Sequence, residues 1–118
     1  MKKGLAGCLL VLLFAGCGMV MRSQDISNVT KSETVILKKL PTQGSIHSLT
    51  INGVGRISGD AEVVLILNGV PYKKELLSGD VAFRWDGDWY ADQAEIRYTV
   101  KSVAGGNLQL NYTFHDLK

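Results

Sequence analysis

Hydrophobic and polar residues alternate along the C-terminal part of the chain with the two-residue period of half-buried β-strands. The apolar positions are Ala94, Ile96, Tyr98 and Val100 in a first run and Leu108, Leu110, Tyr112 and Phe114 in a second. Gly105, Gly106 and Asn107 lie between the two runs and are typical turn residues. The pattern therefore predicts a β-hairpin with its apolar face turned inward and its polar face turned outward.

Shorter apolar runs separated by turn residues predict further strands after residue 32. They cover residues 34–40, 46–51, 54–57, 61–67, a strand from residue 70, residues 81–85 and residues 89–91. Run 61–67 is almost wholly apolar, which is typical of a strand covered on both faces, and the following Asn68 and Gly69 are typical of a two-residue hairpin turn. Pro71 places the next strand at a sheet edge or at a bulge.

The mature chain shows no helical period over ten or more residues, so the elements predict an all-β domain. About seven to nine short strands in a single small antiparallel domain favour a β-sandwich or jelly roll, with a partly closed barrel as the second choice. The glycines between 53 and 59 are spaced unlike a phosphate-binding loop, because Ser58 stands at the third glycine position. They indicate bulges and close backbone approach instead.

The first 17 residues follow a different pattern. Lys2 and Lys3 precede an apolar run at residues 9–15, and two small residues, Ala15 and Gly16, stand directly before Cys17. This layout resembles the signal peptide and lipobox of bacterial lipoproteins, although Phe14 stands where a leucine is usual. The resemblance implies that residues 1–16 are removed as a signal peptide and that Cys17 receives a diacylglyceryl anchor.

The rest of the leader leaves one alternative open, an uncleaved anchor formed by the uncharged run 4–21. Cys8 also follows small residues but has no room before it for an apolar core. Gly18 after the cysteine favours, by the same resemblance, the outer membrane if the cell has two membranes. We therefore expect a protein anchored on the exported side of a bacterial envelope.

Composition limits what the mature chain can do. It has the size of one domain, with residues 17–32 expected to form the lipidated cysteine and a polar tether and residues 33–118 the β-sandwich. Ile26 and Val29 could instead dock on the domain. Loss of Lys2 and Lys3 leaves 11 basic side chains against 11 acidic ones, so nucleic acid is not an expected partner. Once Cys8 is removed and Cys17 is lipidated, no disulfide can form.

One segment concentrates aromatic and acidic side chains, and we take it as the candidate ligand site. It contains Trp85, Asp86, Asp88, Trp89, Tyr90 and Asp92. Aromatic rings beside carboxylates can bind sugar rings, and three carboxylates could bind calcium, although the spacing is not that of an EF-hand. The favoured interpretation is structural, with Asp86 to Asp88 in a tight turn, Trp85 in the apolar row of its strand and Trp89 or Tyr90 in the core.

Other chemistry finds little support in the sequence. His47 and His115 are the only histidines, are expected at the surface, and have no Cys or His neighbours at zinc-ligand spacing. No serine motif of hydrolases occurs in the mature part, so an envelope hydrolase is the most distant alternative. We expect no cofactor, no metal and no catalysis. The leading hypothesis is a lipid-anchored module that works by binding or by structural support within the envelope, and the second is a module that binds glycan or peptidoglycan through residues 85–92. The partners considered are membrane lipid through Cys17 and either an envelope protein or a glycan.

Overall fold

The computed structural model describes residues 21–117 of the chain, so the predicted signal peptide and the lipidation site Cys17 lie outside the described residues. The described part is all-β and antiparallel. Its five strands are β1 (Arg22–Asp25), β2 (Glu33–Lys38), β3 (Ile46–Leu67), β4 (Val70–Asp88) and β5 (Gln93–Asp116). Residues 21–117 include no helix that is long and apolar enough to cross a membrane.

The strand count differs from the predicted seven to nine because three strands continue through positions predicted as turns. β3, β4 and β5 contain 22, 19 and 24 residues. Gly59, Gly79 and Gly106 lie inside these strands with φ values of 138°, 67° and 133°. A single glycine with positive φ allows an extended strand to bulge or bend, whereas a type I′ hairpin turn needs two consecutive residues with positive φ.

The predicted C-terminal hairpin is wrong for the same reason. Residues 93–116 form one strand, and its two halves pair with different parts of β3 rather than with each other. The predicted faces are confirmed for most positions, because seven of the eight apolar residues in the two runs are buried. The exception is Val100, which is partly buried and packs against the core. Alternation thus predicts which face is buried even where the strand connection is wrong.

The predicted hairpin at Asn68 and Gly69 is confirmed. Their φ values are 53° and 80°, and the turn joins β3 to β4 with Leu67 opposite Val70. The prediction for Pro71 is also confirmed, because a register shift separates Leu65 from Ile66, the residue opposite Pro71, and β4 lies at the edge of the described sheet. Pro71 therefore occupies a position where a missing N–H is tolerated.

The long strands cannot be straight. A straight strand of 22 residues would span about 70 Å at roughly 3.3 Å per residue, whereas the longest dimension of the molecule is 42 Å. In the first half of β3, residues 48–57 pair with 79–88 of β4 and residues 46–58 pair with 105–116 of β5. In its second half, residues 61–67 pair with 70–77 of β4 and residues 61–66 pair with 95–100 of β5. β1 extends the first half of this sheet and β2 extends the second, each by pairing with β5.

The bends collect all strand connections at two ends of the molecule. At the loop end lie the start of β1, the end of β2, the connections 39–45, 68–69 and 89–92, and the end of β5. The two halves meet there, since Arg22 Nη1 of β1 donates to the Lys38 carbonyl of β2 at 2.8 Å. The Lys39 N–H, which donates to the Asp92 carbonyl at 3.0 Å, continues the pairing of β2 with β5. Gly59, Gly79, Gly106 and residues 26–32 lie at the other end, which we call the bend end.

The core lies on the inner face of the bent strands. Its side chains come from both halves and form one cluster, whose most deeply buried members are Leu37, Ile51, Ile57, Val63, Ile96, Tyr98, Leu108 and Leu110. The prediction that 61–67 is covered on both faces is confirmed in the middle of the run. There, Val64 and Ile66 are buried on the face opposite Val63 and Leu65.

Residues 22–32 differ from the predicted polar tether. Arg22–Asp25 is a strand, and Ile26 and Val29 are 5% and 4% exposed members of the core, as the alternative interpretation had them. The hydroxyl of Tyr98 donates to the Val29 carbonyl at 2.6 Å. Two apolar side chains and a buried hydrogen bond outweigh the polar composition of this segment, so residues 22–32 belong to the folded domain rather than to a tether.

Candidate functional site

The predicted site segment starts at the end of β4 and continues into the connection to β5. Alternation along β4 turns Trp85 inward, where it is 9% exposed and its ring centroid lies 4.8 Å from that of Phe83. The tight turn predicted for Asp86 to Asp88 is wrong, because these residues continue β4, and both carboxylates are exposed. The segment is therefore divided between the core and the surface from its first residue.

Trp89 is also a core residue. It is 5% exposed, its indole N–H donates to the Gln93 carbonyl at 3.0 Å, and its backbone N–H donates to the His47 carbonyl at 3.2 Å. These bonds fix the loop against the start of β3 and the start of β5. The ring of Trp89 has no free face for stacking, so neither tryptophan can serve as the predicted sugar platform.

Tyr90 is the exposed aromatic residue of the segment, with 75% of its surface accessible. Asp88 and Asp92 flank it in sequence and are exposed as well. Asp92 forms a long ion pair with Lys39, with 3.9 Å between Oδ1 and Nζ. The part of the predicted site that can reach a ligand is thus Tyr90 with Asp88 and Asp92.

Asp86 belongs to a different surface cluster, on the outer face of the first half of the sheet. It accepts a hydrogen bond from Thr50 Oγ1 at 2.5 Å and another from Arg84 Nε at 2.6 Å. The Thr50 hydroxyl and the Arg84 guanidinium hold the pKa of the Asp86 carboxyl below its ordinary value. Thr50 Oγ1 also lies 3.0 Å from Nε2 of His115.

The two histidines lie closer together than their sequence separation suggests, because the start of β3, which contains His47, lies beside the end of β5, which contains His115. Their ring centroids are 6.3 Å apart. His47 is exposed as expected, whereas His115 is only partly exposed and contacts Thr50. Within residues 21–117, no three His, Cys, Asp or Glu side chains are grouped so that they could hold a metal ion. Asp86, Asp88 and Asp92 are thus not brought together as a calcium site would require.

Sequence reasoning missed Tyr72. Its side chain is 47% exposed, its ring centroid lies 6.5 Å from that of Trp89, and the Lys73 ammonium lies 5.2 Å from its ring centre. The cavity between Tyr72, Trp89 and the core measures ≈ 10 Å³, room for about one water and not for a sugar ring. Tyr72 and Trp89 meet because the two ends of β4 come together, which no local pattern reveals.

No protein family and no curated protein matches the chain. Among solved structures, it is similar to the nucleoplasmin-like N-terminal domain of Drosophila FKBP39, with a TM-score of 0.53, 14% sequence identity and coverage of 85% of this chain and 92% of that one. It is also similar to the Yersinia pseudotuberculosis-derived mitogen, with a TM-score of 0.49, 16% identity and coverage of 85% and 88%. The first likeness supports the all-β fold alone.

Proposed function

We propose that this chain is a lipid-anchored lipoprotein of a bacterial envelope, and that its β-domain is a non-catalytic binding or structural module. The observation that carries the proposal is the sequence of the leader, in which basic residues, an apolar run and two small residues precede Cys17. The outer membrane is the favoured location in a cell with two membranes. We further propose that the two halves of the bent sheet face each other as a sandwich, since they share one core and the thinnest dimension is 18 Å.

The fold suits a module that presents surfaces rather than one that encloses a substrate. β4 is a 19-residue strand at the sheet edge, and an unpaired edge can bind an extended segment of another protein. Lys73 and Lys74 lie on this edge, where lysine side chains can prevent uncontrolled pairing. An envelope protein is therefore the partner we favour, and a hydrolase remains the most distant alternative.

Intact-mass analysis of protein extracted from membranes tests the anchor. We expect loss of residues 1–16 and a gain of acyl mass on Cys17, because two or more acyl chains, each gaining about 0.8 kcal/mol per buried methylene, hold a protein firmly in a bilayer. The Cys17→Ser variant is expected to keep its leader and to carry no acyl group. A Cys17→Ser protein that is still cleaved and acylated in the same way would refute the proposal.

Binding of glycan or peptidoglycan is the second candidate function, and the exposed ring of Tyr90 favours it. A ring with a free face between two exposed carboxylates, Asp88 and Asp92, is the minimum that sugar stacking requires. Titration of the protein with soluble cell-wall fragments, followed by calorimetry, tests it. Tyr90→Ala should abolish a saturable signal and Tyr112→Phe should retain it, because Tyr112 is buried. Absence of binding to the native chain up to millimolar fragment would exclude this candidate.

A further inference from the structure

The folded domain begins very close to the proposed anchor. Arg22 is the first residue of β1 and follows Cys17 by five residues. Even a fully extended chain would therefore separate these two residues by at most about 18 Å. The alternative leader, an uncleaved apolar run, ends even closer, at Met21. Under either form of the anchor, the loop end of the domain, where β1 starts, is held beside the membrane surface.

The loop end also carries most of the exposed large hydrophobic side chains. Five of the eight such residues within 21–117 lie there, and they are Met21, Val70, Tyr72, Tyr90 and Leu117, with exposed fractions of 64%, 59%, 47%, 75% and 69%. They come from four separate stretches of chain that meet only in the folded structure. Since single exposed apolar side chains are ordinary but a concentration of them marks an interaction surface, this distribution points to a partner at the loop end.

The chemistry of these side chains fits a bilayer interface. Tyrosine has an apolar body and a polar hydroxyl, and it is enriched where hydrocarbon meets water. Lys73 lies beside the Tyr72 ring, and Arg22, Lys38 and Lys39 follow the rim, where long basic side chains can keep their charges among lipid headgroups. The bend end is more polar, since its exposed residues include Ser58, Asp60, Ser78, Asp80 and Ser102, and Leu76 is the exposed large hydrophobic residue near it.

Charge contributes little to this surface. Asp88, Asp92 and Asp116 lie at the same end as the four basic residues. Asp92 pairs with Lys39, and Asp116 accepts a hydrogen bond from the Gly44 N–H at 2.7 Å. Attraction to the membrane would therefore come from apolar burial and from the nearby anchor, and it would not require anionic lipid.

We infer that the loop end rests on the lipid surface of the membrane that holds the anchor, with Tyr72 and Tyr90 at headgroup level and the bend end turned away. The inference rests on the proposed anchor and adds the orientation of the domain to it. It also gives Tyr90 a role other than sugar stacking, because a ring seated among headgroups is not available to soluble glycan.

Depth-dependent quenching in vesicles tests this orientation. The protein would be expressed from its full-length gene, purified from membranes in its processed form, and reconstituted into vesicles of neutral lipid. The vesicles would be prepared with and without brominated acyl chains. An environment-sensitive fluorophore would be attached through Tyr90→Cys in one sample and through Ser102→Cys, an exposed position at the bend end, in the matched control. Thiol labelling of the protein without an added cysteine reports whether Cys17 is blocked by lipid.

The expected result is at least about twofold quenching at position 90 and none at position 102, since interfacial groups enter the headgroup and acyl boundary by about 5–10 Å. The quenching at position 90 should be equal in neutral and anionic vesicles. A protein that is acylated and sediments with vesicles but shows no quenching at position 90, or equal quenching at both positions, would overturn the orientation and leave the anchor intact. A protein whose Cys17 is free and that does not sediment would overturn both proposals.

Discussion

The ring of Phe83 occupies the space beside Gly53 that a side chain would fill. The two residues face each other across β3 and β4, and a Cβ added to Gly53 would lie 2.1 Å from Cε2 of Phe83. Phe83 is itself 9% exposed and packs on Trp85. Gly53 is therefore required for space at the inner face. The close backbone approach that the glycine spacing indicated occurs at Gly55 and Gly59, where an added Cβ would meet the carbonyl oxygens of Asn107 and Ser102.

Gly53→Ala should destabilise the domain by about 1–3 kcal/mol, because the Phe83 ring must move within a packed core. Gly87→Ala is the matched control, since Gly87 lies in the same pair of strands with nothing within 4 Å of the added Cβ. Urea unfolding of both variants measures the effect. Equal unfolding midpoints would contradict the packing described for Phe83.

Leu110→Ala should cost about 2–5 kcal/mol, since Leu110 is 0% exposed and its truncation leaves a cavity in the core. Thr113→Ala, on the outer face of the same strand, should cost less than about 1 kcal/mol. The free energy of unfolding of the two variants provides the comparison. Equal losses would show that the inner and outer faces of β5 are assigned incorrectly.

Tyr98→Phe should destabilise the domain at neutral pH by about 1–3 kcal/mol, because the buried Val29 carbonyl loses its donor. Burial raises the pKa of the Tyr98 phenol above its ordinary value of 10.0. The folded state then binds this proton more tightly than the unfolded state. Its contribution to stability is complete below pH 10 and is lost as the pH rises through the folded-state pKa.

Unfolding of wild-type protein and Tyr98→Phe between pH 7 and pH 12 measures this dependence. The wild-type advantage should shrink above pH 10. Tyr90→Phe is the control, because the exposed Tyr90 hydroxyl leaves no buried carbonyl unpaired. An unchanged difference across the whole range would contradict the assigned environment of Tyr98.

The Asp86 carboxyl should titrate below its ordinary value of 3.8, and Thr50→Ala should raise its pKa because the strongest hydrogen bond to the carboxylate is lost. A lowered folded-state pKa means that the stabilisation is present above about pH 3.8 and disappears as the pH falls through the folded-state value. Carbon-13 NMR of the carboxyl group follows the titration directly. A wild-type pKa at or above 3.8 would show that Thr50 and Arg84 do not hold the carboxylate.

Local periodicity predicted which residues are buried more reliably than where strands end. Alternation at Ile96, Tyr98, Leu108 and Leu110 depends only on which side of the backbone each residue occupies. The predicted buried face is therefore correct even though the predicted connection between the two runs is wrong. Strand ends depend on backbone angles that composition does not specify. Asn68 with Gly69 reverses the chain, whereas a single bend-end glycine only bends it.

The sequence indicated the segment of the candidate site, residues 85–92, but did not indicate which of its side chains are buried and which are exposed. Trp89 and Tyr90 are adjacent aromatic residues with 5% and 75% exposure, and nothing in their local sequence distinguishes them. The difference arises from the partners of Trp89, which are the nearby Gln93 carbonyl and, far away in sequence, the His47 carbonyl and the Tyr72 ring. The early start of the domain escaped prediction in the same way, because Ile26 and Val29 are buried by the core they join.

β5 follows the other four described strands in the sequence, and it pairs with β1, β2 and β3. Within the described residues, β1 and β2 have no partner strand other than β5. Synthesis proceeds from the N-terminus, so β1 and β2 cannot join the sheet on a nascent chain before residues 93–116 are free. Until then β3 and β4 are the described strands that can pair with each other, and completion of the sheet waits for β5.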